Sequence, residues 1–165
     1  MPQFIHLADD REIAMIRKNG IKGHKIRGSE SKGVYATPVL QDYYRSHQWL
    51  RELRRRGVKT FSAVQFHVTD DLPVSLGRYN EPHLDATAAE AVRIFMEHAT
   101  GMGLEVIFPG SIPASSITRT YTPEQITGWR YYPEAHSDGK PCGCPYCQRG
   151  QINNRKLREE DRRNS

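Results

Sequence analysis

The chain has 165 residues, a hydrophobic fraction of 37% and a net charge of +5. That length fits one domain with an appendage and suffices to bury a core. No apolar run is long enough to cross a bilayer, and Met1-Pro2-Gln3 leads directly into Phe4-Ile5-His6-Leu7, so neither a membrane span nor a secretory signal is expected.

The three cysteines all lie between 142 and 147. An odd, clustered set does not suit a disulfide framework, and a cytoplasmic, reducing location is expected. The charge is uneven. Between Arg17 and Lys59 stand twelve Lys or Arg against three acids, so the remainder is net acidic. A solvated helix face accounts for part of this. An anionic partner, a nucleic acid or a dinucleotide, accounts for the rest.

Phe4 to Leu7 reads as a first strand. Asp9 or Asp10 can cap a helix near 10–19, with Ile13, Met15 and Ile16 on its apolar side and Asn19-Gly20 as its stop. Ile21 to Lys32 is polar, basic and glycine-bearing, and is expected to be a mobile loop. Gly33-Val34-Tyr35-Ala36-Thr37-Pro38 is a short apolar run that ends in a turn. Leu40, Tyr43, His47, Leu50 and Leu53 then recur at steps of three and four, which predicts a helix near 40–56.

Phe61 to Val68 alternates as a half-buried strand. Asp70 to Asn80 is rich in turn residues. Thr87-Ala88-Ala89-Glu90 is a capping box opening a helix near 87–100. Leu104 to Phe108 is another strand, closed by Pro109-Gly110. Ile112 to Ile117 continues in extended or turn form, and Thr122-Pro123 predicts one short helix. From Trp129 the composition becomes irregular and then charged.

The order is therefore a strand bearing His6, a helix, a strand bearing Tyr35, a helix, and a later strand opening with Glu105. In this order the chain resembles the ADP-ribosyltransferase superfamily in its His-Tyr-Glu branch, which contains the diphtheria-like toxins and the poly-ADP-ribose polymerases. Phe4-Ile5-His6 with Ile16-Arg17-Lys18-Asn19-Gly20-Ile21 is similar to the opening strand and the "I-x-x-x-G-hydrophobic" helix end. Gly33-Val34-Tyr35-Ala36-Thr37 is similar to the "G-I-Y-F-A" strand. Glu105-Val106-Ile107-Phe108-Pro109 is similar to the last motif. The likeness spans about residues 4–120.

The resemblance implies an α+β fold. It would be an ADP-ribosyltransferase-like split β-sandwich with flanking helices, a catalytic domain over 1–121 and a C-terminal extension over 122–165. It implies an NAD-dependent ADP-ribosyltransferase of toxin or defence type, with a possible antitoxin or immunity partner. Nucleic acid reached through the basic 17–59 region, or an associated protein, would be its target.

It also assigns roles. Glu105 would stabilise the positive charge that builds on the ribose as the nicotinamide bond breaks. Tyr35 would stack on the nicotinamide ring. His6 would hydrogen-bond the adenosine-side ribose, and the Leu7 backbone would hold the nicotinamide amide. Leu7 and Ala8 stand where the family has glycine and a hydroxyl residue. Ser46 falls near the place of the second stacking aromatic, for which Tyr43, Tyr44 or Trp49 could substitute. Arg78 could touch a diphosphate or the target, or be a plain turn arginine.

Cys142-Gly143-Cys144-Pro145-Tyr146-Cys147 brings three soft ligands into six residues, and His136 is a reasonable fourth. Three thiolates and one imidazole suit a structural tetrahedral zinc, with His67, His83 or His98 as other fourth ligands. Free or redox-active thiols are the alternative. Two further functions fit the sequence: a non-catalytic zinc-containing nucleic-acid-binding protein, and an RNA 2′-phosphotransferase on the same fold. The latter calls for paired His and Arg around a phosphate.

Overall fold

The computed structural model describes residues 1–54, 58, 60–79, 81–98, 103–125 and 163. The chain is α+β, built on a sheet of eight strands whose pairings are all antiparallel among the described residues. The strands are β1 (Gln3–Asp9), β2 (His24–Lys25), β3 (Lys32–Pro38), β4 (Phe61–His67), β5 (Pro73–Arg78), β6 (Leu84–Thr87), β7 (Leu104–Pro109) and β8 (Ile117–Tyr121). Their order across the sheet is β6-β5-β7-β3-β1-β4-β8, with β2 beside β3.

The sheet nearly divides in its middle. β1 pairs with β4 along its whole length, from Gln3↔His67 to Asp9↔Phe61. With β3 it pairs only at Phe4↔Pro38 and Ile5↔Thr37. The other end of β3, from Gly33 to Ala36, pairs with β7. The two halves therefore share a short hinge of ladder and diverge beyond it.

Both faces of β1 are buried. Phe4 and Ala8 join a core with Val34, Phe66, Phe95 and Phe108. Phe108 meets Phe4 and Phe66 edge-on, at 4.8 and 5.3 Å between ring centres. Edge-to-face rings fill such a core with favourable quadrupole contact. Ile5 and Leu7 join a second cluster with Leu50, Phe61 and Ala63.

The expected helix near 10–19 is present as a 3₁₀ turn, Asp10–Glu12, followed by α1 (Ile13–Asn19), which buries Ile13 and Ile16. Gly20 ends it at φ +85°. A Cβ there would meet the Ile112 carbonyl oxygen at 2.2 Å, so the position admits only glycine. The capping box of α4 (Ala88–Glu97) forms as read: Glu90 N donates to Thr87 Oγ1, and Thr87 N donates to Glu90 Oε2.

The single helix expected near 40–56 is instead two short pieces, α2 (Tyr43–Ser46) and α3 (Leu50–Leu53). Side chains occupy the carbonyl at the break and tie the chain before it to Ser46. Thr37 Oγ1 donates to the Ser46 carbonyl at 2.7 Å, and Ser46 Oγ accepts from Leu40 N at 2.8 Å. The stretch read as turns beyond 70 holds β5, whose Val74 and Leu76 face the core, with Pro73 at its first position. The loop expected from 21 to 32 contains β2 and closes as a hairpin onto β3. Thr122 to Gln125 form no helix. Gln125 instead bonds both backbone groups of Phe61, at 2.8 and 2.9 Å, so the folded body runs at least that far.

Candidate functional site

Alternation along the strands decides what reaches the divide. On β3, Val34 and Ala36 enter the core, so Gly33, Tyr35 and Thr37 face the other way. On β7, Val106 and Phe108 enter the core, so Glu105 and Ile107 face the other way. Tyr35 lies opposite Ile107 in the β3–β7 ladder, which puts Tyr35, Ile107 and Glu105 on one face. That face forms the floor of a cavity of about 610 Å³. His6 and Leu7 from β1, and Trp49 from the turn before α3, also line it.

His6 closes the divide. Its Nδ1 is 2.8 Å from the Tyr35 carbonyl oxygen, so Nδ1–H is the donor and Nε2 is left as an acceptor. Burial pushes the imidazole below its ordinary value. The bond to Tyr35 opposes that shift, and His24 nearby adds to it. The ring is therefore neutral at pH 7.

The β1–β3 register, continued by two residues, would set Leu7 opposite Tyr35. Val39 N donates to the Gln3 carbonyl. By the alternation of an antiparallel ladder, the Ile5 and Leu7 backbones turn towards the same side as Gln3. At Leu7 that is the side of Tyr35, and both residues line the cavity.

Glu105 is 9% exposed, and its Oε1 stands 3.1 Å from His83 Nε2. Trp49 Nε1 donates to the Leu104 carbonyl at 2.9 Å, beside Glu105. Tyr79 lies against Trp49 at 5.5 Å between ring centres. The β2 hairpin supplies the cations of the lining, Lys25 and Arg27. Arg27 crosses to Tyr79, donating to its hydroxyl at 3.1 Å. Glu52 and Glu81 complete the acidic side.

The cavity therefore unites His6, Leu7, Tyr35 and Glu105 from the sequence reading, and Trp49 among the substitute aromatics. Tyr43, Ser46 and Arg78 lie outside its lining. Tyr43 stacks on His47 at 4.0 Å and accepts from Glu124 N. Ser46 is buried and bonded to Leu40.

The sequence reading missed Arg27, Tyr79 and, as a site residue, His83. The apolar pairs Val74/Leu76 and Leu84/Ala86 around a short polar loop were the available signal of a hairpin that delivers the last two. His136, Cys142, Cys144 and Cys147 lie outside the described residues. Among the described residues no group of three His, Cys, Asp or Glu is placed to hold a metal ion.

No protein-family model matches this sequence, and no curated protein or solved structure matches it.

Proposed function

We propose that the chain is an NAD-consuming ADP-ribosyltransferase with a split β-sandwich fold. The observation that carries the reading is that His6, Tyr35 and Glu105, chosen on three separate strands, line one cavity. Its volume, about 610 Å³, lies in the range of small-molecule sites.

Each group has work to do there. Tyr35 offers a flat face to the nicotinamide. The Leu7 backbone offers a donor and an acceptor to its amide. His6, held neutral, offers Nε2 to a ribose hydroxyl. Lys25 and Arg27 oppose the diphosphate charge.

In the reaction the bond from ribose C1′ to the nicotinamide nitrogen breaks. Its electron pair goes to that nitrogen, which becomes neutral. Positive charge moves onto the ribose, where the Glu105 carboxylate stabilises it. The acceptor then forms the new bond to C1′ and gives up its proton, for which Glu105 is the candidate base. The basic 17–59 region suits a nucleic-acid acceptor, and Lys25 and Arg27 belong to it.

The test is release of nicotinamide from NAD by the purified chain. Glu105→Gln is expected to slow it by roughly 10²–10³ while NAD binding changes little, because the charge is absent from the ground state. Equal release by the two proteins would remove Glu105 from the reaction, and no release by the parent would remove the reading and favour the zinc-containing nucleic-acid-binding module.

One observation favours a second reading. His6, His24 and Arg27 line the same cavity, and they are the residue types an RNA 2′-phosphotransferase calls for. That enzyme would pass a 2′-phosphate from RNA to NAD with nicotinamide released, only when the phosphorylated RNA is present, and Glu105→Gln would leave the activity intact.

A further inference from the structure

His83 stands just before β6, yet it reaches a carboxylate two strands away. The path is a gap in the side-chain layer. Leu76 of β5 pairs with Leu84 of β6, and the next β5 residue, Gly77, pairs with Glu105 of β7. A Cβ on Gly77 would stand 2.9 Å from His83 Cγ and 3.0 Å from its Cα and Cδ2. The imidazole therefore lies on bare Gly77 backbone, directly over the partner of Glu105. Its Nε2 is shielded from solvent and has no hydrogen bond among the described residues. It approaches Glu105 Oε1 at 3.1 Å, off the line of a hydrogen bond, as an ion-pair contact. That contact with the carboxylate oxygen offsets part of the solvation that the buried nitrogen loses.

We infer that His83 is a positioning residue that fixes the orientation of the Glu105 carboxylate, through an approach that only glycine at position 77 permits. The terminal torsion of a glutamate is broad, so an unassisted carboxylate samples many orientations. One oxygen engaged by His83 restricts that rotation and sets how the carboxylate meets a cation developing in the cavity. The chemical role rests on the proposed reaction; the positional role does not.

Two measurements on the full chain test it. The first is a crystal structure of His83→Ala beside one of the parent. In the parent the Glu105 carboxylate is expected in a single orientation with Oε1 towards His83, and in His83→Ala it is expected to turn or to spread over several orientations. A single, unmoved Glu105 orientation in His83→Ala overturns the inference. Should that variant fail to fold, His83→Met fills the space without a donor and takes its place.

The second is nicotinamide release. His83→Ala is expected to lower kcat by roughly 10- to 100-fold, the usual cost of losing an orienting partner, with KM nearly unchanged. His83→Gln, which keeps an N–H donor, should recover part of the loss. A kcat at the parent level in His83→Ala overturns the role in catalysis. If the parent itself releases no nicotinamide, the proposed function falls, and the two structures still decide whether His83 holds Glu105.

Discussion

The His6 imidazole takes the backbone carbonyl of Tyr35 at 2.8 Å, at the point where β1 leaves β3. A side chain thus stands where the ladder would have continued. It anchors one proposed site residue against the strand that carries another. His6→Ala removes the Nε2 acceptor and leaves the Tyr35 carbonyl without this partner. One hydrogen bond contributes about 0.5–1.5 kcal/mol, so NAD affinity should fall by roughly 2- to 12-fold. Calorimetric titration with NAD checks this, and an unchanged Kd would contradict the assigned role.

Tyr35 and Glu105 share one face of the sheet but should fail differently when substituted. Tyr35→Ala removes a stacking surface used in the ground state, so NAD affinity and turnover should both drop. Glu105→Gln removes a charge used only as the bond breaks, so turnover should drop alone. Parallel measurement of Kd and kcat separates the two. If both variants lost affinity equally, Glu105 would be a binding residue.

What was legible in the sequence was what local periodicity encodes. The alternating run at 61–67 and the capping box at Thr87 each specify their own element. Gly20 likewise announces the end of α1 through its positive φ. The helix expected near 40–56 has correct periodicity and still breaks. Thr37 lies on another strand and draws off the Ser46 carbonyl, which no local pattern reports. β5 and β6 expose one face and bury few apolar residues, so their turn residues dominated the reading. His83 was invisible as a site residue for a similar reason. Its partner Glu105 is set by strand register across Gly77, a relationship that exists only after the sheet forms.

Gln48 is fully buried and joins the 43–53 segment to the start of β7. Its Oε1 accepts from Gly103 N at 2.6 Å, and its Nε2 donates to the Arg45 carbonyl at 3.1 Å. Arg45 in turn donates to the carbonyls of Phe95 and His98, at the end of α4. Gln48→Leu has similar bulk and strands two buried backbone groups. It should cost about 1–3 kcal/mol of stability. Urea unfolding measures this, and a loss below about 0.5 kcal/mol would show that those groups find other partners.

His136, Cys142, Cys144 and Cys147 predict, from sequence alone, about one tightly held zinc per chain. Elemental analysis of protein purified without chelator checks it. Cys144→Ser should lose the metal, because a serine hydroxyl is a poor replacement for a thiolate. Parent protein free of zinc would leave these cysteines as ordinary thiols.

His47 is 3% exposed and held between two tyrosines. Its Nδ1 donates to the Tyr43 carbonyl at 2.8 Å, and its Nε2 stands 2.6 Å from the Tyr121 hydroxyl, which donates to it. Burial pushes this imidazole below its ordinary value of 6.5; the Tyr43 bond opposes that shift, and Arg119 adds to it. The unfolded chain therefore binds a proton at His47 at a higher pH than the folded chain does. Stability is full above that ordinary value and declines as pH falls below it, until the folded imidazole also protonates. The slope from one such group is at most about 1.4 kcal/mol per pH unit. His6 is shifted in the same direction and adds to the decline. The melting temperature should therefore drop between pH 7.5 and 5.5. His47→Gln should lower it at pH 7.5, by weakening the contact with Tyr121, yet flatten its dependence on pH. Equal slopes in parent and variant would show that His47 keeps its proton affinity on folding.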